Sequence, residues 1–100
     1  MIVGYARVST LDQDLSAQLE ALKQAGAQKV WREKISGAKA DRPQLRKLMA
    51  ALGKGDTLII TKIDRLARST RELLNLIAAI DDAGASLKSL GDPLFNTSNA

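Results

Sequence analysis

Short apolar runs alternate along this chain with longer segments whose leucines recur at helical spacing, and that alternation is what most narrows the choice of fold. Residues 2–8 form the first apolar run, Ile-Val-Gly-Tyr-Ala-Arg-Val, which reads as a buried strand. Residues 11–26 follow as a helix with Leu15, Leu19 and Leu22 on one face, Asp12 and Asp14 in the first turn and Gly26 as the stop signal. Residues 27–32 make a weaker second strand carrying Trp31, read as a packing residue. Asp41 can cap a second helix with Pro43 near its first turn, and Leu45, Leu48, Met49 and Leu52 supply its apolar face. Residues 53–56, Gly-Lys-Gly-Asp, end that helix and lead into a third strand at 57–61. Ser69 or Thr70 opens a third helix with Leu73, Leu74, Ile77 and Ile80 inward, ending near Gly84, and residues 85–90 form a fourth strand. A β-α-β-α-β-α-β order predicts an α/β fold of three layers, α/β/α, around a mostly parallel sheet of four to five strands.

One hundred residues suit one domain, and a 45% hydrophobic content is ordinary for a globular core. The chain has no cysteine, which removes disulfides and thiolate metal sites. It has no histidine either, so a Ser-His-Asp triad cannot be built within it. No leader pattern precedes the first strand and no apolar run approaches the roughly 20 residues of a membrane span, so the expected location is cytoplasmic, with no membrane contact. The net charge of +4 is unevenly placed. Residues 29–71 hold twelve Lys or Arg against four Asp or Glu, while both flanks are slightly acidic. A basic middle suits a polyanionic partner, although scattered solvated lysines give the same count.

The residues that carry chemistry lie at strand ends. The first strand runs into Arg7 and Ser9 just before a helix, and the third runs into Lys62-Ile63-Asp64-Arg65-Leu66-Ala67-Arg68. In open α/β sheets the carboxyl edge of the strands is where ligands sit. A serine facing several arginines suggests a nucleophile opposite a phosphate, because a guanidinium makes bidentate bonds to phosphate oxygens and keeps its charge. Ser36 to Ala40 read as a small-residue loop. No Gly-x-x-x-x-Gly-Lys loop argues for a nucleotide, and no carboxylates stand at metal-ligand spacing.

Four separated segments, Tyr5-Ala6-Arg7-Val8-Ser9-Thr10-Leu11-Asp12-Gln13, Ser36-Gly37, Asp41-Arg42-Pro43 and Lys62 through Arg68, occur in the order found in the catalytic domain of the serine site-specific recombinases, the resolvase and DNA-invertase family. The chain closely resembles that domain from residue 1 to about residue 97. The resemblance implies a resolvase-like fold and a reaction in which Ser9 attacks a DNA phosphodiester, remains joined to the 5′ end as phosphoserine, and later passes the strand to a new partner. Arg7, Arg42, Arg65 and Arg68 would crowd the phosphate, where phosphoryl transfer gathers charge and catalysis is mostly positioning plus electrostatics. Gln13, by itself an exposed helix residue, would donate a neutral hydrogen bond. Asp64 would orient an arginine or move a proton, and its bland reading is a helix cap before Arg65. Lys62 and Ser36 would contact or steady the substrate; both can equally be ordinary surface residues. With no histidine present, the arginines themselves would favour the ionised Ser9. The resemblance implies no cofactor, metal or nucleotide, since the phosphoserine bond conserves the energy of the bond broken.

Residues 91–100 show neither a helical nor a strand period, so the expectation is a catalytic domain spanning 1–100, cut before the family's long dimerisation helix and DNA-binding domain. The implied partners are DNA and, in the full-length protein, a homodimer and a tetramer; DNA contact by this part alone would be weak, phosphate-directed and salt-sensitive. Two rivals remain at this stage. One is a non-catalytic DNA- or phosphate-binding module using the same basic edge. The other is a receiver-like signalling domain, which wants an acidic Mg²⁺ site where this chain has Arg7 and Ser9.

Overall fold

The computed structural model describes residues 1–9, 15–35 and 43–92. Within them the chain runs β1 (Ile2–Ser9), α1 (Leu15–Gln24), β2 (Lys29–Ile35), α2 (Pro43–Ala51), β3 (Thr57–Ile60), a 3₁₀ turn (Ile63–Arg65), α3 (Thr70–Asp82) and β4 (Ser86–Ser89). The four described strands form one sheet in the order β2-β1-β3-β4, and all three pairings are parallel. Pro43, which has no N–H to leave unpaired, is the first residue of α2, where its fixed φ suits a helix start.

Two apolar clusters lie on opposite faces of the sheet because side chains alternate along each strand. Val3, Tyr5, Leu58, Ile60 and Leu87 face one way and pack with Leu45 and Leu48 of α2 and Ile80 of α3. Ala6 and Ile59 face the other way and pack with Leu22 of α1. Burial on both faces accounts for the nearly continuous apolar run at the start of β1. Gly4 lets α1 approach closely: a Cβ there would stand 3.2 Å from Leu22 Cδ1 and 3.4 Å from Val30 Cγ2. The architecture is the three-layer α/β/α arrangement read from the sequence.

Several details differ from that reading. β2 extends to Ile35 rather than stopping near residue 32, because it stays paired with β1 from Val3–Lys29 through Ser9–Ile35. Leu74 is 60% exposed, not inward: the buried stripe of α3 passes through Leu73, Leu76, Ile77 and Ile80, and Leu74 lies about 100° around the helix from Leu73. Trp31 packs against the α2-side cluster as expected, and the Lys29 ammonium sits 4.3 Å from its ring centroid. The capping position Asp41 and the acidic residues Asp12 and Asp14 lie outside the described residues.

The strand order decides where a ligand can bind. The crossover through α1 carries the chain from β1 to β2 on one side, and the crossover through α2 carries it back past β1 to β3. The connections therefore diverge between β1 and β3, and a crevice opens at the carboxyl ends of those two strands.

Candidate active site

β1 and β3 are paired in register where Ile2, Val3 and Gly4 lie beside Thr57, Leu58 and Ile59. β3 ends at Ile60, whereas β1 continues to Ser9 with β2 alone beside it. The open flank of β1 is closed by a side chain. Gln18 of α1, only 4% exposed, accepts the Arg7 N–H through Oε1 at 3.3 Å and donates from Nε2 to the Arg7 carbonyl at 3.1 Å. Its amide takes the place that a neighbouring strand would fill, so the Arg7 N–H and carbonyl both keep a partner.

The chain leaving β3 turns across this flank. Arg65 N–H donates to the Lys62 carbonyl and Leu66 N–H to the Ile63 carbonyl, each at 3.0 Å, which forms the 3₁₀ turn. Leu66 and Ala67 then bury themselves and anchor the far side of the turn. The Arg7 guanidinium donates through an Nη to the backbone carbonyl of Asp64. The Arg7 side chain at the end of β1 is thereby tied to the turn that carries Arg65. Next to it an open cleft of about 380 Å³ is lined by Lys62, Asp64, Arg68, Ser69, Thr70 and Asp92, among others. Lys62, Asp64 and Arg68 are exposed, and Arg65 is half-buried.

A second anchor lies on the β2 side. Glu33 is 4% exposed and accepts three hydrogen bonds: the Tyr5 hydroxyl and the Leu45 N–H at Oε1, at 3.2 and 3.0 Å, and the Gln44 N–H at Oε2, at 3.2 Å. A carboxylate from β2 thus caps the start of α2, where unpaired N–H groups and the helix dipole both favour a negative charge. Among the described residues no three His, Cys, Asp or Glu side chains are grouped so as to hold a metal, and no helix is long and apolar enough to cross a membrane.

A family model described as Resolvase, N terminal domain, matches residues 2–100. The chain belongs to this family.

Among relatives of this resolvase domain, a resolvase from Clostridium perfringens is 48% identical over 101 residues, covering 99% of this chain and 53% of that protein. A DNA-invertase of Escherichia phage P1 is 44% identical over 94 residues, covering 94% of this chain and 50% of that protein. The chain therefore spans about half the length of these relatives. The solved N-terminal catalytic domain of TP901-1 integrase superposes with a TM-score of 0.82 at 26% identity, covering 99% of this chain and 82% of that one.

Of the residues expected from the sequence, the structure joins Arg7 to the Asp64 carbonyl, in the turn that also carries Arg65, and sets Lys62, Asp64 and Arg68 along one cleft. Ser9 is the last residue of β1, two positions beyond Arg7 on the same strand, paired in register with Ile35; its side chain lies outside what the structure describes. Gln13, Ser36 and Arg42 lie outside the described residues as well. The Asp64 group that orients Arg7 is its backbone carbonyl. Sequence reading missed Gln18, Glu33 and Asp92, which all hold backbone N–H groups at this edge. Glu33 left one signal: a lone acid in a basic stretch, one strand period from the half-buried Trp31.

Proposed function

We propose that this resolvase domain is the strand-cleaving part of a site-specific DNA recombinase, with Ser9 as the nucleophile. Ser9 Oγ would attack the phosphorus of a DNA phosphodiester, forming the Ser9–phosphate bond as the bond to the 3′ oxygen breaks. The serine proton is lost to solvent or a nearby base, and the departing 3′ oxygen gains one. The reverse reaction with a different 3′ hydroxyl rejoins the strand, so no external energy source or cofactor enters the balance. Arg7 and Arg65 would meet the non-bridging oxygens, where charge develops, and Lys62 and Arg68, which line the cleft, would extend the same positive edge; an arginine in such a role is worth roughly 10³–10⁵ in rate in other phosphoryl-transfer enzymes. Arg42, Gln13 and Ser36 complete the set by their match to the family's motifs.

The observation that carries this reading is the meeting of Arg7, at the end of β1, with the turn that bears Arg65, in the crevice between β1 and β3 beside the Ser9 backbone. DNA is the partner that family membership implies. The longer protein would add a dimerisation helix and a DNA-binding domain, work as a dimer and then a tetramer, and act in the cytoplasm.

The test is a denaturing gel of the full-length protein with end-labelled DNA carrying its own site. Wild type is expected to form a covalent adduct with the 5′ phosphate end created at the break, and Ser9→Ala none. Adducts that persist unchanged in Ser9→Ala would end the catalytic reading and leave a DNA-binding module.

A further inference from the structure

The turn that presents Arg65 has no cap of its own. Lys62, at its N-cap position, makes no side-chain hydrogen bond to it, and a three-residue 3₁₀ turn closes few bonds internally. Its first N–H, that of Ile63, is instead taken by Asp92 Oδ2 at 3.0 Å, from 29 residues further along the chain. The same oxygen accepts the Ser89 hydroxyl at 2.8 Å.

Asp92 reaches this position because the chain leaving β4 follows the chain leaving β3. Leu90 N–H donates to the Ile60 carbonyl at 2.9 Å and Gly91 N–H to the Thr61 carbonyl at 2.7 Å, extending the ladder beyond the last paired strand residues. Gly91 allows the approach: a Cβ there would stand 2.7 Å from the Thr61 carbonyl oxygen and 2.9 Å from Lys62 Cγ. Ser89 is 3% exposed and holds the carboxylate from below. Glycine, serine and aspartate in consecutive turns therefore share one task, fixing where residues 61–63 lie.

We propose that Asp92 is a positioning residue for strand cleavage, acting as the remote cap of the 3₁₀ turn that sets the Asp64 carbonyl under Arg7 and aims Arg65. Its carboxylate is engaged by Ile63 and Ser89 and lies beside Lys62, so its charge is answered within the protein and need not oppose a phosphate in the cleft. The inference rests on the recombinase reading for its rate measurement, but the cap itself is read without DNA.

The experiment uses full-length protein and DNA with its own site, measuring single-turnover adduct formation and DNA affinity separately. A shift of about 1 Å away from the chemistry can cost about 10²-fold in rate, so Asp92→Ala is expected to slow adduct formation by about ten- to a hundredfold with DNA affinity unchanged. Asp92→Asn, which keeps a carbonyl acceptor for Ile63, is expected to recover most of the rate. Because part of the effect of Asp92 runs through Arg65, adding Asp92→Ala to Arg65→Ala is expected to slow the reaction by less than the Asp92→Ala factor alone. A wild-type rate in folded Asp92→Ala overturns the proposal, as does a double variant slower by the full Asp92→Ala factor. Amide exchange at Ile63 in the DNA-free protein provides the independent arm, and it also serves if Asp92→Ala does not fold. Faster exchange is expected in Ser89→Ala, which frees the carboxylate, and a smaller increase in Asp92→Asn, whose neutral carbonyl is the weaker acceptor; unchanged exchange in both overturns the cap. Absence of any adduct in wild type would instead count against the recombinase reading, with the Ile63 exchange still deciding the cap.

Discussion

Glu33 shows how much of this edge depends on single side chains. It gives up hydration almost completely, and the Tyr5 hydroxyl and two α2 N–H groups replace the water. Truncation takes the acceptor from the Gln44 and Leu45 N–H groups, at about 1–3 kcal/mol for each group that water cannot reach. Glu33→Ala is therefore expected to destabilise the domain by about 2–4 kcal/mol, and Tyr5→Phe, which removes one donor and leaves Glu33 its two α2 N–H groups, by about 1 kcal/mol. Chemical denaturation checks both, and a Glu33→Ala loss no larger than that of Tyr5→Phe would show that water satisfies the start of α2. The residues legible in sequence, Arg7, Lys62, Asp64, Arg65 and Arg68, share one property: each comes shortly after an apolar run that reads as a strand. Gln18, Glu33 and Asp92 were not legible because each serves a backbone group 11 to 29 residues away. Gln18 has work to do only because β3 stops at Ile60 while β1 runs on, and strand lengths are a tertiary outcome.

At the scale of elements, α3 carries the chain away from the cleft, and its start is held by two reciprocal bonds. Ser69 Oγ accepts the Glu72 N–H at 3.1 Å, and Glu72 Oε1 accepts the Arg68 N–H at 2.9 Å. This Ser-x-x-Glu arrangement resembles a capping box displaced by one residue, and it fixes the backbone of Arg68 as well as the helix end. Ser69→Ala is expected to cost about 1 kcal/mol in thermal unfolding, and Ser69→Asp to restore it. A loss in the alanine variant that aspartate does not restore would point away from capping. The helices and strands were readable from periodicity because both faces of the sheet are covered and apolar spacing reports burial directly. Leu73-Leu74 defeated that reading: adjacent leucines fit two stripes equally, and only the position of the sheet chooses between them. Consistent with its exposure, Leu74→Lys is expected to change stability by no more than about 0.5 kcal/mol, whereas Ile80→Ala, at the centre of the same helix's buried face, is expected to cost about 2–5 kcal/mol. Comparable losses in the two variants would mean that the inward stripe of α3 passes through Leu74.

Across the whole molecule, two aspartates tie down opposite ends of the sheet. At the amino ends of the strands, Asp56 accepts the Gly53 N–H at 2.8 Å and meets the Met1 ammonium at 3.1 Å. At the carboxyl ends, Asp92 joins β4 to the turn after β3. The Gly53 N–H and then the terminal ammonium hold the Asp56 carboxyl below the usual 3.8, and the Ser89 hydroxyl, the Ile63 N–H and the Lys62 charge do the same for Asp92. Each group binds its proton less readily folded than unfolded, so the unfolded chain takes up protons first as the pH falls. The stability these carboxylates contribute is therefore fully present above the ordinary aspartate value and is lost as the pH drops through their lower folded values. Acid should loosen both ends of the sheet in the same window, and under the proposed function the end bearing Arg65 is the one that matters to the reaction. The expected result is a midpoint of thermal unfolding that contains no Asp56 or Asp92 contribution to its slope near neutrality and falls below about pH 4. In Asp56→Asn/Asp92→Asn the midpoint should be lower at pH 7 and the fall below about pH 4 shallower, because the groups that took up those protons are gone. Parallel curves for wild type and the double variant would mean that neither aspartate changes its proton affinity on folding, and that the two ends of the sheet are held by packing alone.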